Sequence, residues 1–245
     1  MKAFYKFLLI FIIGACGTKA EGNYYIGLGA GLNFADMQND VYASAQDRVE
    51  MGRPIEYHYF GGRRLKHNGA FAGKLFFGYE MDTLPIFFES GYLYDGLTAK
   101  HAKILTLDDT FDSATPPDEP EISIVKLNRK HTFSVSIGAR KQINSALSAK
   151  IGMDLLYSRF EMESAPSADY SPTVSDVNKK KYKLGLAPWV GASLDFNGME
   201  AGIRYQYSRY QELKMSGDYS PSKFNIMTKT KPEYHTVFIT LSKRI

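Results

Sequence analysis

Residues 23–34 read Asn-Tyr-Tyr-Ile-Gly-Leu-Gly-Ala-Gly-Leu-Asn-Phe, and they alternate without a break. Tyr24, Ile26, Leu28, Ala30, Leu32 and Phe34 fall on one face. Asn23, Tyr25, Gly27, Gly29, Gly31 and Asn33 fall on the other. Side chains that switch faces at every residue define a β-strand, not a helix. One face is continuously apolar and the other small or polar, as in a strand with lipid on one side and a narrow polar interior on the other.

The same alternation returns along the chain. A second run sets Phe71, Gly73, Leu75, Phe77, Tyr79 and Met81 against Ala72, Lys74, Phe76, Gly78 and Glu80. A third sets Ile86, Phe88, Ser90, Tyr92 and Tyr94 against Phe87, Glu89, Gly91, Leu93 and Asp95. Further runs cover 132–140, 147–158, 182–196, 199–208 and 236–245. Each meets the roughly 9–11 residues that a tilted strand needs to cross the hydrocarbon. Asp82 to Pro85, Lys141 to Ser145 and Asn197-Gly198 read as short turns, the last a strong hairpin signal. Ala35 to Asn68, Gly96 to Lys126, Glu161 to Lys180 and Lys214 to Pro232 read as long polar loops. The expected fold is all-β: an eight-stranded antiparallel up-and-down transmembrane β-barrel with four long extracellular loops and three short periplasmic turns.

Lipid offers no partner to an open sheet edge, so the first and last strands must pair. The alternative, a soluble barrel of the lipocalin kind, would reverse the faces, with an apolar cavity inside and charges outside. Tyr24, Phe34, Tyr79, Tyr92, Tyr94, Tyr157, Tyr182, Phe196 and Tyr207 stand near strand ends, where interfacial girdles form. Ordinary strand propensity accounts for such residues as well.

Gly-Leu-Ala-Pro-Trp-Val-Gly-Ala at 185–192, Arg-Tyr-Gln-Tyr at 204–207 and the closing stretch from His235 to Ile245 carry a resemblance. Together with the alternation and the unequal connections, they resemble the family of OmpA transmembrane domains, OmpX and opacity-type surface antigens. The resemblance covers essentially the whole chain after residue 20. It implies a bacterial outer-membrane surface protein, exported and folded by the barrel assembly machinery. Such a protein acts through its loops as an antigen or adhesin, or serves envelope integrity. Members of the family usually end on phenylalanine; this chain ends on Ile245, with Lys243 where an aromatic residue is common.

The N-terminus reads as a signal peptide over residues 1–20, followed by the barrel over 21–245. Lys2 and Lys6 precede an apolar run from Phe7 to Ala15 that is too short to span a bilayer. Thr18-Lys19-Ala20 offers small residues at a cleavage site. Ile13-Gly14-Ala15-Cys16 gives the rival lipobox reading, with an acylated Cys16. Losing Lys2, Lys6 and Lys19 with no acid takes three positive charges from +4 and leaves +1. The apparent basicity is therefore mostly a targeting signal, and no nucleic-acid partner is expected. Cys16 is the only cysteine, so cleavage after Ala20 excludes disulfides and thiol chemistry from the mature chain.

The inward face carries Lys74, Glu80, Glu89, Arg140, Lys150, Asp154, Lys183, Asp195, Glu200 and Arg204. Eight strands enclose a space that side chains fill, and buried charges there must find partners. Glu89, Arg140, Lys150, Asp154 and Arg204 are expected to form the interior network, with the strand-one glycines making room for long side chains from opposite strands. No catalytic residue, cofactor or metal ligand is assigned. The His-x-Ser pattern of a lipid deacylase is absent at His235-Thr236-Val237, and Asp36 to Asp40 lacks the glycine and closing glutamate of a calcium loop. A small porin-like channel and a lipid-modifying barrel enzyme are the alternative functions. Lys179, Lys180, Lys181, Lys214, Lys223, Lys229 and Lys231 are candidate contacts to lipopolysaccharide phosphates or another anionic partner. Host surface or matrix proteins are the further candidate partners.

Mass spectrometry of the protein from outer membranes is expected to show a free N-terminus at Glu21. A diacyl or triacyl mass on Cys16 would assign processing to the lipoprotein pathway.

Overall fold

The computed structural model describes residues 22–45, 58–95, 98–105, 122–166, 177–219 and 224–245. The signal-peptide reading of residues 1–20 lies outside them. The described residues form eleven strands: β1 (Gly22–Ala45), β2 (His58–Met81), β3 (Ile86–Asp95), β4 (Thr98–Leu105), β5 (Ile122–Gln142), β6 (Leu147–Pro166), β7 (Val177–Phe196), β8 (Met199–Tyr210), β9 (Leu213–Tyr219), β10 (Phe224–Thr230) and β11 (Glu233–Arg244).

Eight of them close a ring. Successive antiparallel ladders join β1 to β2, β3, β5, β6, β7, β8 and β11, and β11 returns to β1. β1 therefore has a partner on both sides, with Leu28 opposite Leu75 on β2 and Leu241 on β11. The alternation places Ile26, Leu28, Leu32 and Phe34 on the exposed face and Tyr25, Gly27 and Asn33 in the interior. Every run read from the sequence faces as expected, including Phe87, Glu89, Leu93 and Asp95 inward on β3.

Three turns lie at one end together with Gly22 and Ile245. Asn197 and Gly198, both at positive φ (55° and 78°), form the tightest, matching the twist of the strands they join. At the opposite end the sequence reading needs correction. Much of what reads as loop is strand. β1 and β2 stay paired from Ala35–His67 to Ala43–His58, and β5 and β6 from Arg129–Phe160 to Ile122–Pro166. β4, β9 and β10 continue β3, β8 and β11 upward after gaps of two residues. β9 and β10 form a hairpin that pairs with upper β1. Above the lipid no apolar outer face is required, so these stretches lose the pattern that marks a membrane strand while keeping the ladder.

The interior is filled by a repeated device. Five aromatic rings each lie across a glycine directly opposite on the neighbouring strand: Phe76 on Gly27, Tyr25 on Gly78, Phe87 on Gly138, Trp189 on Gly152 and Tyr210 on Gly185. A Cβ at any of these glycines would stand 2.1–2.6 Å from a ring atom. The space left by Gly27 is thus taken by an adjacent strand, not by the opposite wall as the sequence reading had it. The outward aromatic residues gather at two levels. Tyr24 packs on Tyr79 and Phe77 near the turn end, and Tyr157 stacks on Tyr182 near the other.

A ring with no free edge inside the lipid has no aqueous competitor for its backbone bonds. The folded protein is therefore expected to resist dodecyl sulfate until boiled and to migrate differently before and after. Identical migration, with a helical circular-dichroism spectrum, would contradict the barrel.

Candidate functional site

The polar interior is organised in three layers along the barrel. The central one is built on Arg204 of β8. Its guanidinium lies 2.8 Å from Glu89 of β3 and 2.6 Å from Asp154 of β6, linking three strands, and stacks 3.7 Å above the Trp189 ring. Trp189 in turn donates from Nε1 to Asp154 at 2.8 Å, and the Tyr25 hydroxyl donates to Glu89 at 3.2 Å. Lys74 completes the layer at 3.6 Å from Glu89 and 3.8 Å from Asp154. Two cations thus face two carboxylates, and all four are buried.

A second layer lies toward the turns. Arg140 meets Glu80 and Glu200, each at 3.1 Å, and Lys150 bonds Glu200. Arg244 adds contacts of 3.5 Å to Glu80 and 3.7 Å to Asp195, so three cations again face three carboxylates. The third layer, toward the extracellular end, is absent from the sequence reading. Arg129 pairs with Asp95, donates to the Tyr210 hydroxyl at 3.1 Å and lies 4.0 Å above the Tyr234 ring. Asn33 donates to Asp95 at 3.0 Å, and Ser158 bridges Tyr210 and Thr132. Arg129 is hidden from alternation by an irregularity between Arg129 and Thr132, which reverses the phase of β5 so that both residues point inward.

The structure therefore brings Glu89, Asp154 and Arg204 together in one cluster and Arg140 and Lys150 in another. Two small spaces lie around these layers, of about 10 and 30 Å³. A single water needs ~10–15 Å³ measured in this way, so they accommodate a water or two.

The extracellular lysines fare differently. Lys180, Lys181, Lys214 and Lys231 are exposed. Lys181 donates to the Lys214 carbonyl, drawing β7 and β9 together, while Lys214 lies 3.2 Å from Glu212. Lys229 is held 4.1 Å over the Tyr42 ring and stands opposite Lys214 in the ladder. Lys223 and the side chain of Lys179 lie outside the described residues. The two histidines with described side chains, His131 and His235, sit on the outer wall. Each is hydrogen-bonded through Nδ1 to a tyrosine hydroxyl, Tyr92 at 2.5 Å and Tyr205 at 2.7 Å.

An apolar outer face, a charge-paired interior and a closed ring describe a membrane barrel. Among solved structures, the chain is similar to a major outer membrane protein from Thermus thermophilus (12% identity, TM-score 0.50, covering 91% of this chain and 99% of that one). The chain has the fold of an outer-membrane β-barrel. It is also similar to the outer membrane protease OmpT from Escherichia coli (11% identity, TM-score 0.47, covering 93% and 98%). A third similarity is to Neisserial surface protein A, at 14% identity and TM-score 0.37, covering 87% and 96%. No protein-family model and no curated protein sequence matches.

Arg204→Ala should leave Glu89 and Asp154 sharing Lys74 at longer range, and lower stability by about 3–5 kcal/mol. Arg140→Ala should cost less, because Arg244 and Lys150 still face Glu80 and Glu200. Thermal unfolding in detergent micelles measures both; an equal or reversed order would contradict the central role of Arg204.

Proposed function

We propose that the protein is a non-enzymatic surface protein whose contacts are made by its extracellular rim, as an adhesin or surface antigen. The observation that carries this reading is the contrast between interior and rim. The interior cations described above face carboxylates, whereas Lys180, Lys181 and Lys231 stand exposed at the extracellular end beside Lys214. A cluster of exposed ammonium groups suits a phosphate-bearing or acidic partner, lipopolysaccharide among them. The geometry of the two outer-wall histidines, each engaged by tyrosine on the lipid side, favours an interfacial role over acid–base catalysis. In this reading the interior layers seal the barrel. Export proceeds through cleavage after Ala20, and folding through the barrel assembly machinery.

Cells carrying Lys180, Lys181, Lys214 and Lys231 all changed to glutamine are expected to assemble the barrel normally but to lose attachment to host matrix proteins. The attachment of the unaltered protein should itself weaken with added salt, because exposed charges are screened over about 8 Å at physiological ionic strength. Unchanged attachment would contradict the rim. Stable single-channel conductance in planar bilayers would favour a small porin instead.

A further inference from the structure

The lipid-facing wall carries a recess that the interior packing does not explain. Ala30 of β1 and Gly73 of β2 are directly opposite each other on the outer face. They form the floor of a depression of about 500 Å³, walled by Leu28, Leu75, Ile239, Leu241, Tyr92 and Tyr94. The interior glycines that face aromatic rings are covered by those rings. Gly73 is not: an added Cβ would meet only the Phe71 ring, at 3.7 Å. Beyond one end of the recess, on the neighbouring strand β5, lies a polar side chain that is not part of its lining. Tyr94, on the wall of the recess, stands opposite His131, and the Tyr92 hydroxyl bonds His131 Nδ1 at 2.5 Å. In the tautomer whose Nδ1 accepts from that hydroxyl, the imidazole carries its proton on Nε2 and can donate it. Tyr94 precedes Asp95, the last residue of β3, so His131 lies at the extracellular boundary of the wall.

We propose that this recess is a docking site for one outer-leaflet lipid, a phosphorylated, saturated lipid A, with an acyl chain seated over Ala30 and Gly73 and a headgroup phosphate at His131. Hydrocarbon surrounds the whole wall, so apolarity alone selects nothing; shape does. A straight chain lying over a glycine floor gains contacts on more sides than one lying on a ridge of leucines. His131 is on the extracellular side, which fits a lipid whose head faces outward. A second histidine provides the comparison. His235 has the same tyrosine neighbours, with Tyr205 and Tyr207 at 6.1 and 5.1 Å between ring centroids. Its neighbourhood on the wall is built from Ile203 and Val237, opposite Ile239 and Tyr205 in the ladder, in place of the Ala30–Gly73 pair. The inference rests on the placement of the barrel in the outer membrane and not on the lysine rim, so failure of the rim in attachment assays leaves it intact.

Native mass spectrometry of the full protein, loaded with purified hexa-acylated lipid A and stripped by detergent exchange, tests it. The unaltered protein should retain one lipid A. Gly73→Leu, which fills the recess where space is open, should lower retention about tenfold or more, since a displaced chain loses its packing contacts. His131→Ala should also lower retention, and His235→Ala should leave it unchanged. Heat-modifiable migration verifies that each variant is folded. Equal retention by Gly73→Leu would overturn the site, as would equal retention of dioleoyl phosphatidylglycerol. So would cross-linking of a Gly73→Cys variant into dimers in bilayers, which would assign the recess to a second copy of the chain.

Discussion

The structure depends on a single constraint: lipid supplies no hydrogen bonds, so the first strand must be paired on both sides. β1 meets that demand by pairing with β2 from Gly22 onward and with β11 from Tyr25 to Ala35. Closure at eight strands fixes a lumen too narrow for an aqueous channel and too wide to be left empty. The aromatic–glycine pairs follow from this. A ring laid over a glycine fills the lumen sideways, along the wall, and leaves the axis for longer charged side chains. Trp189 shows both parts, covering Gly152 with its ring while its Nε1–H fixes Asp154 beneath Arg204.

The charges of the three described layers enter the lumen in balanced groups. The Arg204, Arg140 and Arg129 layers each match cations with carboxylates from different strands. Burying an ion is expensive, and an excellent geometry offsets that cost only when the partner is present. The layers therefore act as cross-braces between walls that the ladder alone leaves independent. Glu89 and Arg204 are separated by 115 positions in sequence, and their bond ties β3 to β8 across the barrel. Charges committed in this way are unsuited to an exchanging ligand. The lysines at the extracellular end are exposed instead, Lys180 and Lys231 among them, and the proposed surface contacts draw on these.

The faces of all eight wall strands were legible in the sequence because membrane strands have to alternate. The height and partner of each residue were not. Alternation says that Glu89, Asp154 and Arg204 point inward, but only the register brings them to one level. The same holds for Phe76 over Gly27, which requires knowing that β1 and β2 are offset so that these two residues face. Arg129 escaped because an irregularity in β5 breaks the phase three residues before Thr132. The upper parts of β1 and β2 escaped for another reason. Once a strand leaves lipid, its outer face is free to be polar, and the sequence of a ladder in water resembles that of a loop. The outer recess was likewise invisible, since Gly73 reads as one small residue in an apolar stripe until Ala30 is placed opposite it.

Closure in this register can be measured by disulfide trapping across the seam. The mature chain, by the cleavage proposed after Ala20, has no cysteine of its own. Leu28→Cys combined with Leu241→Cys places two thiols on directly opposed residues of β1 and β11. Mild oxidation of the folded protein in bilayers should yield an intramolecular disulfide in nearly every molecule, while the offset pair Leu28→Cys with Ile239→Cys should react poorly. Efficient reaction of the offset pair, or only intermolecular products from the matched pair, would contradict a ring closed between β1 and β11 as described.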